Sequence, residues 1–166
     1  MTTPGAKSFA VTIADAQSRS SMATINLTVQ AAMLPGSIVI SQVYGGGGNS
    51  GAPFTNDFIE LFNRTNAPVN ITGWAVQYAT STGSSWSKTD LTGTIAPGQY
   101  FLIQQASGGM NGVALPTPDA TGTIAMAATA GKIVLTNTNT GITSGTLCPM
   151  DATIVDIVGY GTANCF

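Results

Sequence analysis

The sequence predicts an all-β protein folded as a β-sandwich, on three observations. Apolar residues recur with period two in many short runs, no window holds a sustained helical period, and clusters of Gly, Pro, Asn and Ser punctuate the runs. With 166 residues there is room for one ordinary domain and part of another.

The elements follow in order. Ser8 to Ala14 alternates with Phe9, Val11 and Ile13 on one face, and Thr24 to Val29 with Ile25, Leu27 and Val29. The turn-rich ADAQSRSS between them makes a hairpin. AAMLPGS, with its Pro-Gly pair, reads as a linker or a turn. The runs SIVISQVY, DFIELFN, GWAVQYAT, QYFLIQ, GTIAM, GKIVLTN and TIVDIVGYG come next as strands. Between them lie the loops GGGGNSGAP, TSTGSSWSKTDLTG, APGQ, SGGMNGVALPTPDATG and TNTGITSGTLCP. Trp74, Val76 and Tyr78 point together into the core, as do Ile133 with Leu135 and Ile154 with Val158.

Composition narrows the chemistry. Charged residues make up only 7% of the chain, against roughly 25% in a typical soluble domain. The five basic residues are scattered and the net charge is −2, which leaves no footprint for nucleic acid. There is no histidine, so catalytic sets built on Ser-His-Asp or Cys-His are excluded, as are His-rich zinc and iron sites. Any catalysis has to use carboxylates, Lys, Tyr or an oxygen-ligated metal.

Cys148 and Cys165 read as one disulfide of an extracellular or periplasmic protein, with two free thiols as the alternative. Closing that loop contributes on the order of 3 kcal/mol. No run reaches the ~18 to 20 apolar residues of a membrane span. The start MTTPGAKSFAV lacks the basic and apolar regions of a signal peptide. The expectation is a piece of a longer chain, or export by another route. Sequons stand at Asn26, Asn63 and Asn70.

The four glycines of VYGGGGNSGAPFTNDFIELFN do not make a phosphate loop. No Lys-Ser/Thr follows them, and the next element is a strand rather than a helix. Two readings stand. One is a long mobile hairpin loop whose glycines permit positive φ. The other is a calcium site, since hard cations take carboxylate, amide and carbonyl oxygens. Its ligands would be Asn49, Asn56 and Asp57, with Asp90 and Asp119 from other Ser/Thr/Gly-rich turns, although no D-x-D-x-D-G run is present. Asp151 is expected to cap a turn or short helix. Asp156, in phase with Ile154 and Val158, is expected to face inward and to need a hydrogen-bonding partner.

Five motifs in order give the chain a family resemblance. They are Ile40 to Tyr44, Phe58 to Asn63, Gly73-Trp74, Pro97 to Ile103, and Val155 to Gly161. Over residues 36 to 166 the sequence resembles the bacterial lamin tail domain. The resemblance implies an immunoglobulin-like β-sandwich, used as an accessory module of secreted multidomain proteins, often beside nucleases or other phosphoesterases. It carries no general catalytic set, and it implies structural roles for Glu60 and Asn63 as partners of the backbone.

Residues 1–33 resemble the closing hairpin of a different immunoglobulin-like repeat, and residues 34–166 form the sandwich, so the chain reads as a fragment at both ends. A lone hairpin is unstable in water. It is expected to dock on its own sandwich or to pair with another copy, giving a homodimer through residues 1–33.

Three functions compete. The first is a non-catalytic module binding a protein or cell-surface partner in adhesion, targeting or assembly. The second is a small calcium-dependent hydrolase acting on an ester, lactone or phosphoester, with Asp57 as catalytic carboxylate. The third is a structural assembly by strand exchange.

Overall fold

The computed structural model describes residues 5–14, 20–29 and 36–166. The chain divides into two compact units, Met1–Leu34 and Pro35–Phe166. The first holds an antiparallel hairpin of β1 (Gly5–Ala14) and β2 (Ser20–Val29), in a register that sets Phe9 opposite Ile25. The middle of the ADAQSRSS turn and most of the AAMLPGS linker lie outside the described residues.

The second unit is the sandwich, and its fold class is as the sequence predicts. One sheet runs in the order β10 (Ala120–Thr121), β9 (Tyr100–Gln104), β4 (Phe58–Asn63) and β3 (Ile38–Tyr44). The other runs β12 (Ile154–Tyr160), β11 (Gly131–Thr136), β6 (Ala75–Thr80) and β7 (Ser87–Asp90). A two-residue ribbon of β5 (Val69–Asn70) and β8 (Thr94–Ile95) completes it. All pairings are antiparallel except β10 with β9. Among the described residues no helix is long and apolar enough to cross a membrane.

The period-two pattern explains the core. Ile59, Leu61 and Ile103 from one sheet meet Val76, Ile133 and Leu135 from the other, all fully buried. Each such side chain contributes about 1.5–3 kcal/mol relative to exposure. Trp74 and Tyr78 join them as expected.

Four local expectations change. GTIAM is not a strand, because Ile124 and Met126 enter the core while their backbone bonds to side chains and loops. SKTD, read as loop, is the edge strand β7, whose polar residues suit an edge and of which only Thr89 is buried. In β12 a register shift changes the phase, so Val155 rather than Ile154 packs on the core beside Val158. Lastly, β11 and β6 are buried on both faces apart from Thr80. A half-exposed strand should show alternating burial, so a further layer covers this sheet.

Asn63 is fully buried: its side chain donates to Ala67 O and Ile95 O and accepts from Thr65 N, which is the backbone role the resemblance implied. Glu60 instead takes the Ser41 hydroxyl, 2.7 Å away, at the β-bulge between Ile40 and Gln42. Asp156 does face inward. Its Oδ2 accepts the Ile40 N–H at 2.7 Å, so a carboxylate from one sheet occupies the free edge of the other. Asp156→Ala is expected to lower the unfolding free energy by about 1.5–3 kcal/mol, and Asp156→Asn by less, since an amide oxygen still accepts. Urea denaturation measures both.

Candidate functional site

The glycine-rich segment is a packed structure organised by Asp57. This carboxylate is 3% exposed. Oδ1 accepts the Gly47 N–H and Oδ2 the Met126 N–H, each at 2.7 Å. Gly47 can only be glycine, because a Cβ there would lie 2.1 Å from the carbonyl carbon of Asn56. Gly48 has φ +77° and would bring a Cβ within 2.4 Å of Gly109, so it meets both requirements. Two loops that are far apart in sequence pair here: Gly48 bridges to Asn111 and Phe54 to Val113. The rings of Tyr44, Phe54 and Phe58 pack with centroids 5.4–5.8 Å apart over one side. Positive φ is present as expected, but the loop is locked by close contacts at Gly47 and Gly48.

Each of the other candidate metal ligands has its own setting. Asn49 is exposed in the turn after the glycines. Asn56 donates to Gln105 O and accepts from the Thr55 hydroxyl. Asp90 pairs with Lys88 on the outer edge of β7, and Asp119 accepts the Leu102 N–H at 2.7 Å. Among the described residues no three His, Cys, Asp or Glu side chains gather into a metal-binding group.

Next to Asp57, the segment after GTI joins neither sheet: Met126 enters the core while Ala125, Ala127, Ala128 and Thr129 stay exposed. The Ala127 peptide is held from both sides: its N–H donates to the Tyr78 hydroxyl, and its carbonyl accepts the Tyr160 hydroxyl at 2.6 Å. Burial pushes the Tyr160 phenol well above its ordinary value of 10.0, and the neighbouring Tyr78 and the Asp57 charge add to the shift.

The covering layer over β11 and β6 comes from the long segment 137–153, with β6–β7 residues and the last turn. Lys132 on β11 is fully buried beneath it. Its ammonium donates to Gly83 O (2.8 Å), Leu147 O (2.5 Å) and Asn164 Oδ1 (2.9 Å), so all three donors are matched. It also sits 5.3 Å from the Trp86 ring centre. Burial lowers its pKa from the ordinary lysine value. Gln77 accepts the Ile142 N–H and donates to Thr140 O. Trp86 Nε1 donates to Thr146 O, and the Cys148–Cys165 disulfide closes the layer as the cysteine count implied.

This clamped segment forms an open groove of about 550 Å³ lined by Thr138, Thr140, Thr143, Thr146, Thr153 and Asp151. Asp151 caps its turn as expected, with Oδ1 accepting both the N–H and the hydroxyl of Thr153. Those bonds hold its pKa below the ordinary aspartate value. Sequence reasoning missed this groove and its anchors Gln77 and Lys132. The available signals were the length of segment 137–153, beyond the ~12–15 residues at which irregular loops become uncommon, and one Lys and one Gln inside apolar strands.

Asp57→Ala leaves two buried N–H groups unpaired. It should lower the unfolding free energy by about 3 kcal/mol or more, and Asp57→Asn by less, as read by urea denaturation. Tyr160 supplies a pH test. Its folded pKa is raised, so its contribution is fully present below the unfolded value of about 10 and is lost as pH rises through the folded one. The stability difference between wild type and Tyr160→Phe should therefore shrink as the pH passes 10, and stability curves at a series of alkaline pH values measure it.

The family model of the lamin tail domain matches residues 31–162. No curated protein matches the chain.

Proposed function

The chain belongs to the lamin tail domain family, and from that premise we propose that it is a non-catalytic immunoglobulin-like accessory module of a secreted bacterial protein, which presents its clamped loops to a partner at the cell surface. The observation that carries this reading is the state of the carboxylates. All six in the second unit already have internal partners. Asp57, Asp119, Asp151 and Asp156 accept backbone N–H groups, Glu60 takes the Ser41 hydroxyl, and Asp90 pairs with Lys88. A general base needs a carboxylate aimed at a substrate proton; each of these has at least one oxygen held by the protein, and in Asp57 and Asp156 both are held. The disulfide and the low charge content support an extracellular or periplasmic setting.

The competing reading is a calcium-dependent hydrolase built on Asp57. Hydrolysis of a panel of esters, lactones and phosphoesters, with calcium and then with chelator, separates the two. The expected result is no turnover above a mock preparation and no calcium-dependent change in unfolding temperature. Calcium at a hundredfold its Kd would stabilise the fold by about 2.7 kcal/mol, which a melt detects readily. Calcium-dependent turnover that disappears in a folded Asp57→Asn variant overturns the proposal. Because Asp57 is a structural acceptor, Asp57→Ala alone does not distinguish the readings.

A second reading, self-pairing through residues 1–33, is favoured by one feature. The hairpin is a two-stranded sheet of ten-residue strands, and such a hairpin is marginally stable by itself. Light scattering on the intact chain and on a chain lacking residues 1–33 decides it: a dimer that becomes monomeric on deletion supports self-pairing, and a monomer in both cases removes it.

A further inference from the structure

We propose that the groove over β11 and β6 binds a neutral oligosaccharide. The proposal rests on the reading of the chain as a binding module and names the ligand class of that module. Three features carry it.

The first is an unused set of polar atoms. Among the described residues, Asp151 Oδ2 and the hydroxyls of Thr143 and Thr146 make no hydrogen bond, while Asp151 Oδ1 is fixed by Thr153. A carboxylate oxygen that only accepts, beside hydroxyls that donate and accept, matches the hydroxyl pattern of a sugar ring. Ile142, Ala152 and the threonine methyls supply the apolar surface for its C–H faces. At Gly141 the space above the backbone is open, with no atom within 4 Å of where a Cβ would stand.

The second is rigidity. The lining carries no regular strand between β11 and Ile154, yet it is anchored by Gln77 at Ile142 and Thr140, by Trp86 at Thr146, by Lys132 at Leu147, and by the disulfide at Cys148. A loop held this way loses little further entropy when a ligand docks.

The third is what the lining excludes. It contains no Lys or Arg, and Asp151 repels anions, so phosphorylated and carboxylated ligands find no counter-charge. A single carboxylate does not make a divalent-cation site. No aromatic ring lines the groove to stack a planar heterocycle. The volume falls within the ~300–1,000 Å³ of small-ligand sites. An open groove without a stacking ring implies weak single-site binding, with Kd on the order of 1 mM.

The test is amide chemical-shift mapping on the full chain with neutral oligomers of glucose, mannose, galactose and N-acetylglucosamine, each titrated to about 10 mM. The expected result is saturable shifts at residues 138–153 with at least one of them. The Thr143→Val and Thr146→Val double variant should keep its unfolding midpoint, since neither hydroxyl has a partner among the described residues, and should weaken binding about tenfold. Asp151→Asn should weaken it while Gln77, on the buried side, keeps the loop in place. The proposal is overturned if no oligomer shifts those amides, if the shifts fall elsewhere, or if the double variant binds as wild type does. Preferential, salt-sensitive binding of a polyamine probe overturns it as well, by making Asp151 a cation site. Turnover in the ester panel sinks the module reading itself, whereas absent sugar shifts in a protein without turnover sink this inference alone.

Discussion

The carboxylate of Asp57 is the constraint on which this end of the sandwich depends. It sits at the start of β4, almost without solvent, and offers its two oxygens to the N–H groups of Gly47 and Met126. Through them one side chain ties the β3–β4 connection to the segment that precedes β11. Burying a carboxylate is unfavourable unless it is well hydrogen-bonded, so the two loops must close on it together. That closure demands glycine at positions 47 and 48, and it brings Ala127 between the hydroxyls of Tyr78 and Tyr160. The polar interior at this end is one connected structure with nearly every group matched.

The other long connection is organised by a cation. Lys132 replaces water with two carbonyls and an amide oxygen and lies beside the Trp86 ring. A buried ammonium with matched donors is a strong local organiser, because any displacement of the covering segment strands a charge. Gln77 does the same with neutral groups, and the disulfide adds a covalent closure. The result is a sandwich with a third, irregular layer on one sheet, which accounts for the complete burial of β11.

Asp57 and Asp119 accept backbone N–H groups and Asp90 pairs with Lys88, whereas Oδ2 of Asp151 and the hydroxyls of Thr143 and Thr146, without hydrogen bonds among the described residues, belong to residues that line a groove on the outer layer. The lining of that groove belongs to segment 137–153, which lies over the fully buried strand β11.

The sequence by itself determined the architecture. Alternation in FIELFN, AVQYAT and GKIVLT marks strands because the side-chain period of a strand is two, and two cysteines in a low-charge chain imply a disulfide. The inward direction of Asp156 was legible for the same reason. Tertiary structure alone decided what the polar residues do. Asp57 is a candidate ligand in one dimension and a structural acceptor in three, because its partners, Gly47 and Met126, come from different loops. GTIAM reads as a strand, but the space it enters offers side-chain acceptors in place of a neighbouring strand. Lys132 and Gln77 look solvent-facing by period, and they are buried because segment 137–153 folds back over them. Local periodicity records which face a residue takes; only long-range closure decides whether that face meets water.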